Sequence, residues 1–130
     1  MYLVDTNIFL ELLLEQERAD EVRKFFSSVD SSDLSLTDLS FHSIGIILIK
    51  FKKFDVFTRF VRDIANGGMQ ILSLNLEDMF NLLKFVKKFG LDFDNAYQYT
   101  VAEKYNLQII SFDKDFDRTE RRRKEPLDIL

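Results

Sequence analysis

Apolar positions along the chain alternate between short continuous runs and stripes at helical spacing. The stripe Val22, Phe25 and Phe26, for example, has the three-to-four-residue repeat of an amphipathic helix. Short apolar runs, which predict strands, lie at 2–4, 34–36, 69–74 and 107–112. Helices are predicted at 8–14, 17–29, 37–51, 54–66, 75–89 and 92–105, with a last edge strand at 127–130. The interior of the third helix is apolar nearly all round, which predicts a central position in the core.

Strands that alternate with helices are typical of a parallel sheet with right-handed crossover connections. The pattern therefore predicts a three-layer α/β/α fold with a mainly parallel central sheet, formed by residues 1–130 as a single domain. Only one proline and four glycines interrupt the chain, which favours helices over a fold with many β-turns. In sheets of this kind, ligands bind beyond the carboxyl ends of the strands.

Composition excludes several classes of protein. The 130 residues contain no cysteine, so disulfides, thiol nucleophiles and Cys-ligated metal sites are ruled out. The longest apolar run, Ile44–Ile49, is far shorter than the ~20 residues that a membrane span needs. The only histidine, His42, falls within the predicted central helix and is interpreted as structural. We expect a soluble, cytoplasmic protein with no membrane association.

Charge is distributed unevenly over a chain whose formal net charge is −4. Five bases occur within the seven positions Arg118–Lys124, which could hold phosphates, although a solvated tail is an equally good interpretation. Lys50, Lys52 and Lys53 are interpreted as a solvated helix end.

Aspartates follow two of the predicted strands directly. Asp5 comes after the first strand, and Asp113 and Asp115 come after the fourth, while Asp92 and Asp94 begin the helix that leads into it. Because the carboxyl ends of parallel strands share one edge of the sheet, these carboxylates should converge. Converging carboxylates repel one another, and a hard cation such as Mg²⁺ or Mn²⁺ relieves that repulsion.

Simpler structural roles are open for each of these acids. Asp5 and Asp92 both suit helix N-caps, Asp94 complements a helix dipole, and Asp115 could be a turn residue. The segment from Asp113 also resembles the start of a calcium loop. Arg118, however, replaces the glycine that such a loop requires, so an EF-hand is excluded.

Four segments together resemble the PIN domain family, the fold of the VapC-type toxin ribonucleases. They are Leu3–Phe9, Gly90–Ala96, Ala102–Leu107 and Ile110–Phe116, and their order and spacing match across essentially the whole chain. The resemblance implies a three-layer α/β fold and Mg²⁺- or Mn²⁺-dependent cleavage of single-stranded RNA.

The resemblance also implies roles for individual residues. Asp5 and Asp113 match family aspartates, and Asp115 matches a supporting acid. With Asp94 as the acid that could supply a missing charge, the expected catalytic residues are Asp5, Asp94, Asp113 and Asp115. The expected metal ligands are Asp5, Asp94, Asn95 and Asp113. Independently of the resemblance, the dense run of bases predicts contact with the RNA backbone by Arg118, Arg121, Arg122, Arg123 and Lys124. Further partners implied are an antitoxin protein and a second copy of the chain in a homodimer.

Two positions depart from the family pattern. The helix after the second strand lacks the usual glutamate, whose place we assign to Ser43, and Asn95 stands where the family has an aspartate before an alanine. Asp94 is one residue earlier, which turns its side chain by about 100° on a helix. A hard-cation site with fewer carboxylates binds its metal more weakly.

Three functions follow as hypotheses. The first is a metal-dependent ribonuclease, such as the toxin of a toxin–antitoxin pair. The second is a catalytically degenerate PIN domain that binds RNA or a protein without cutting, which Ser43 and Asn95 favour. The third is phosphoryl transfer through an aspartyl phosphate at Asp5, against which Asn7 stands where a second acid is required.

Overall fold

The computed structural model describes residues 1–130 and contains one four-stranded sheet with helices on both faces. The strands are β1 (Tyr2–Val4), β2 (Leu34–Thr37), β3 (Gln70–Leu72) and β4 (Gln108–Ile110). Their order across the sheet is β3-β2-β1-β4, and every neighbouring pair is parallel. The predicted α/β/α fold with a parallel sheet is therefore confirmed.

Seven α-helices connect and flank these strands. They are α1 (Thr6–Leu13), α2 (Ala19–Ser28), α3 (Asp38–Lys50), α4 (Phe54–Gly67), α5 (Asp78–Phe89), α6 (Phe93–Tyr105) and α7 (Pro126–Ile129). Short 3₁₀ helices lie at Ser31–Asp33 and Lys114–Arg118. The ends of the helices follow local chemistry. The Thr37 hydroxyl accepts the Ser40 amide to cap α3, and Gly90 ends α5 with a φ of +67°, which favours glycine.

The sheet separates the core into two halves. Leu3 and Val4 point to opposite faces because side chains alternate along a strand. Leu3 packs with Leu91 and Tyr99 in the half covered by α5 and α6, and Val4 packs with Ile44 in the half covered by α1 to α4. A three-residue strand thus contributes to both halves.

The connections create a topological switch point. The chain passes outward from β1 to β2 to β3 and then crosses to the other side of β1, where it forms β4. The crevice between the carboxyl ends of β1 and β4 is where ligands bind in sheets of this type. Asp5 directly follows β1, and Ser111 directly follows β4.

Three local predictions are wrong in detail. Helix α1 begins at Thr6 with Asp5 as its N-cap, two residues before the predicted start. Helix α3 is not fully central, because Ile46 is 69% exposed. The predicted edge strand at 127–130 is helix α7, since Pro126 favours the first helical position and a capping box precedes it. Lys124 makes the parallel bridge to Ile110 in place of that strand.

None of the helices has both the length and the apolar character required to cross a bilayer.

Candidate functional site

The Asp5 carboxylate lies buried at the carboxyl end of β1, with 5% of the residue exposed. The pairing of β1 with β4 continues through the Asp5 amide, which donates to the Ile110 carbonyl at 2.9 Å. At the start of α1, the Thr6 amide donates to Asp5 Oδ1 at 2.7 Å. Both a strand and a helix terminus therefore hold this aspartate in one position.

The Ser111 hydroxyl joins the ends of β1 and β4. Ser111 is fully buried, and its Oγ donates to Asp5 Oδ2 at 2.6 Å. The same Oγ accepts the Asp113 amide at 2.9 Å and the Asn7 carboxamide at 3.3 Å. Asn7 also accepts the Phe112 amide at 3.3 Å, so a polar network ties the first helix to the loop after β4.

Asp113 and Asn95 form the second half of the site. Asp113 caps the 3₁₀ helix that follows it, where its Oδ1 accepts the Asp115 amide at 2.9 Å. Its Oδ2 accepts the Asn95 side-chain amide at 3.0 Å. Asn95 lies in the first turn of α6 and is 6% exposed. Of the four expected metal ligands, the structure brings Asp5, Asn95 and Asp113 to one edge of the sheet.

Gln98 is a site residue that the sequence analysis missed. It lies three residues after Asn95 on α6, is 3% exposed, and donates a hydrogen bond from Nε2 to Asp5 Oδ1. Its other amide atom, Oε1, is buried without a hydrogen-bond partner. A buried acceptor left unpaired costs about 1–3 kcal/mol, which a cation, a water or a donor group from a ligand would relieve. The signal available in the sequence was the helical i, i+3 spacing from Asn95.

Burial raises the pKa of the Asp5 carboxyl above its ordinary value of 3.8. Hydrogen bonds from Ser111, Gln98 and Thr6 offset part of this effect because they favour the charged form. The nearby Asp113 carboxylate raises the pKa of Asp5 further, which shows that the two acids interact.

Other predicted acids do not join this pair. Asp94 is exposed in the first turn of α6, and Asp92 caps that helix by accepting the Asn95 amide at 2.9 Å. The Asp115 carboxylate forms an ion pair with Arg118 at 2.9 Å. No group of three or more acidic or histidine side chains in the structure is arranged to hold a metal ion. The structure therefore does not bring the four predicted catalytic carboxylates together into one cluster.

Two serines of α3 bear on the charge of the site. Ser40 is 2% exposed, and its Oγ accepts the Thr6 hydroxyl at 2.8 Å, one residue from Asp5. Ser43, to which the place of the family glutamate is assigned, is only partly buried. Neither serine adds a negative charge to the site.

Three of the five bases in the strip predicted to contact RNA form hydrogen bonds and ion pairs within the chain. Arg121 donates to Glu103 at 2.5 Å and to the Asn106 side chain, and Arg123 donates to the Ser111 carbonyl at 3.2 Å. Arg118 donates to the carbonyls of 89 and 90 as well as to Asp115. Only Arg122 and Lys124 are exposed without a side-chain partner. The strip thus anchors the C-terminal segment, and three of its five bases are already paired.

Comparison with known proteins decides the family. A model of the PIN domain matches residues 2–122. The chain belongs to the PIN domain family. No curated protein sequence matches it significantly.

Solved structures share the fold of this PIN domain at low identity. A toxin–antitoxin complex from Klebsiella pneumoniae has a TM-score of 0.74 and 16% identity over 93% of this chain and 94% of the other. VapC20 of Mycobacterium tuberculosis, described as a sarcin-ricin loop cleaving toxin, has a TM-score of 0.76 and 13% identity over 90% and 93%. FitAcB from Neisseria gonorrhoeae has a TM-score of 0.73 and 14% identity over 98% and 99%.

PIN domains are generally nucleases that use divalent metals. The ligand preferences of such an ion can be compared with the donor atoms of this site. Asp5 and Asp113 provide carboxylate oxygens, and Gln98, whose Nε2 contacts Asp5, also carries the unpartnered neutral oxygen Oε1. Hard divalent cations prefer oxygen ligands of this kind. The chemistry of these donors suits Mg²⁺ or Mn²⁺, with two negative charges in place of three or four.

Asp5→Asn is expected to leave the free energy of unfolding at pH 7 equal, or up to about 2 kcal/mol higher. The substitution removes a buried charge and keeps Oδ1 as the acceptor of the Thr6 and Gln98 amides, while the new NH2 group takes the place of Oδ2 and donates to the Ser111 hydroxyl. Because the pKa of Asp5 is raised by folding, its contribution to wild-type stability falls as pH rises from 3.8 through the folded pKa. Thermal melts of both proteins across this range isolate the contribution of Asp5. A large fall in melting temperature at pH 7 would show that its charge is needed for the fold.

Arg123→Ala is expected to lower the free energy of unfolding by about 1–2 kcal/mol, because it removes the partner of Asp117, one of the two arginines that pair with Glu125, and a hydrogen bond to the Ser111 carbonyl. The matched control is Lys124→Ala, which removes an exposed, unpaired base and should change stability by less than about 0.5 kcal/mol. Urea denaturation measures both. Equal, small changes in the free energy of unfolding for the two variants would show that residues 118–124 form a solvated tail.

Proposed function

We propose that this PIN domain is a metal-dependent endoribonuclease, a hydrolase of single-stranded RNA that uses Mg²⁺ or Mn²⁺. The observation that carries the proposal is the meeting of Asp5 and Asp113 at the switch point of the sheet, linked through the Ser111 hydroxyl. Two interacting carboxylates, one of them buried, at the carboxyl ends of parallel strands are an unfavourable arrangement unless a cation or a proton balances them.

The side chains of the site would have distinct roles in this reaction. When bound, a divalent cation supplies Lewis acidity, which activates water and neutralises charge on a phosphodiester. Asp5 and Asp113 would hold the ion. Ser111 and Gln98 fix the orientation of Asp5, and Asn95 fixes that of Asp113. Asp94, which is exposed and adjacent to Asn95, stays a predicted catalytic residue. Asp115 also stays one, and its backbone amide donates a hydrogen bond to the Asp113 carboxylate.

A second function is favoured by one specific observation. Both Asp5 oxygens already accept hydrogen bonds from protein donors, and neutral side chains stand at Ser40 and Asn95. Such a site is partly balanced without a metal, as expected of a PIN domain that binds RNA or a protein and does not cut. Failure to bind Mn²⁺ at millimolar concentration would favour this function over the nuclease.

Asn95→Asp is expected to tighten Mn²⁺ binding by about tenfold or more, because it adds a carboxylate next to Asp113 at a hard-cation site. Calorimetric titration of Mn²⁺ measures the affinity, and cleavage of a labelled single-stranded RNA measures activity. Asp113→Asn serves as the matched control and should abolish both metal binding and cleavage. Unchanged affinity in the aspartate variant would show that position 95 does not face the ion.

We also propose an antitoxin as a partner of this chain, since one structural relative is a toxin–antitoxin complex. A groove of about 670 Å³ opens between α1, α2 and α4, away from the carboxylates. Its walls are mainly apolar, with Phe9, Leu13, Phe26, Phe60 and Ile64 among the lining residues. Grooves of this kind accept the apolar face of an amphipathic helix.

Leu13→Lys is expected to weaken binding of the protein encoded next to this chain by at least tenfold, because it places a charge in the apolar groove. Co-expression followed by affinity measurement on the purified pair tests this. Leu127→Lys, on an exposed residue outside the groove, is the control and should leave binding unchanged. Equal binding by both variants would place the partner elsewhere.

Two remaining expectations belong with this proposal. A homodimer stays a prediction, and the exposed apolar side chains of α5 and its approach, Leu76, Phe80 and Leu83, are the surface that we expect it to use. The cytoplasm stays the predicted compartment, as the location of the proposed RNA substrate.

A further inference from the structure

Unpaired positive charge is concentrated at one corner of the molecule, where α3 passes into α4. Of the 18 Lys and Arg side chains, seven form salt bridges. Five of the other eleven lie within residues 50–62, a segment with a single acid, Asp55. They are Lys50, Lys52, Lys53, Arg59 and Arg62, and all five are exposed. A protein with a net charge of −4 therefore has one face that is locally basic.

Two phenyl rings alternate with the lysines of this segment. Phe51 is 58% exposed and Phe54 is 57% exposed. Neither ring packs against either half of the core. The Lys50 ammonium lies 5.8 Å from the centroid of the Phe51 ring, so charge and ring share one surface. Lysines alone would keep an exposed helix end soluble, so solubility does not account for the two exposed phenyl rings.

The backbone holds this segment in a tight turn. Lys52 has a φ of +56°, and the amides of 51, 52 and 53 donate to carbonyls in the last turn of α3. Gly45 lets α4 approach α3 closely, because a Cβ there would lie 3.3 Å from the Phe57 ring. The lysines and rings are thus presented from a rigid helix–helix corner.

The corner is remote from the candidate catalytic site. Helix α3 begins beside Asp5, where Ser40 contacts Thr6, and its 13 residues extend for about 20 Å before Lys50. A ligand that contacts both the corner and the candidate catalytic site must be extended, because the two are far apart. It must also carry negative charge, because the corner is basic.

We propose that this basic–aromatic corner, residues Lys50–Phe54 with Arg59 and Arg62, binds single-stranded RNA. The lysines and arginines contact backbone phosphates, and Phe51 and Phe54 stack against unpaired bases. Alternation of cations with exposed rings is the chemistry by which proteins bind single strands without base-pair recognition. The inference deepens the proposed function by assigning RNA a surface outside the catalytic site, and it does not require cleavage.

The test measures binding without catalysis. The probe is a fluorescein-labelled oligouridylate of about 15 nucleotides, titrated by anisotropy in EDTA over a series of KCl concentrations. The triple variant Lys50→Gln, Lys52→Asn, Lys53→Gln should flatten the slope of log affinity against log salt by about 2, at about 0.7 per lost phosphate contact. The asparagine is chosen because it tolerates the positive φ at position 52. The double variant Phe51→Leu, Phe54→Leu keeps apolar area but removes the rings, and should bind at least fivefold more weakly with an unchanged salt slope.

A charge-matched control separates a binding site from general electrostatics. The triple variant Lys24→Gln, Lys84→Gln, Lys87→Gln removes three exposed, unpaired lysines elsewhere and should retain the wild-type slope. Equal losses in the two triple variants, or wild-type binding by the leucine variant, would overturn the proposal and leave the corner to an acidic protein partner. RNA binding in EDTA without cleavage in Mn²⁺ would support the corner while refuting the nuclease function.

Discussion

The parallel pairing of β1 with β4 is the contact on which both the core and the candidate site depend. Tyr2, Leu3 and Val4 pair with residues 108–110, which are more than 100 positions away in the chain. This pairing places Asp5 next to Ser111, and it supplies Leu3 and Val4 to opposite halves of the core. Because the strands are only three residues long, the polar network of Asn7, Ser111 and Asp113 continues the connection where the sheet ends. The groups proposed for catalysis are thus also part of the link between the two strands.

Electrostatic balance explains the composition of this site. Asp5 and Asp113 repel each other, and the raised pKa of Asp5 reflects mainly its burial, with that repulsion as a smaller contribution. Carboxamides from one face of α6, at Asn95 and Gln98, donate to the two acids and reduce the cost of their charges. A site balanced in this way is less unfavourable without an ion, but it also attracts one less strongly than a cluster of acids does. The unpartnered Gln98 Oε1 shows that the balance is incomplete, since one buried acceptor still lacks a donor or a cation.

Sequence patterns predicted the parts of the molecule that depend on short-range rules. The strand that precedes Asp5, the strand that precedes Asp113, and the helix cap at Asp92 all follow from local apolar runs and capping preferences. Contacts between distant segments were not predictable. Arg121 appears free in the sequence, yet its partners Glu103 and Asn106 come from α6 and its end. Gln98 was missed for the same reason, because only the fold shows that the face of α6 which carries Asn95 also meets Asp5. The apolar residues at 127–130 favour a strand by their pattern, but the capping box at Glu125 and Asp128 favours the helix α7 that the structure shows.

Helix α3 extends from the candidate catalytic site to the basic–aromatic corner. Its first turn meets Thr6 through Ser40, beside the carboxylates, and its last turn ends at Lys50. Ile44 and Leu48 anchor the intervening turns in the core, so the helix is fixed as a rigid rod. The apolar groove between α1, α2 and α4 borders the basic corner, since Lys53 and Arg59 line its rim. A partner in that groove would lie against the bases proposed to hold RNA and at a distance from the carboxylates. Within this geometry, a groove-bound partner can oppose RNA binding by occupying Lys53 and Arg59, without any contact with Asp5 or Asp113.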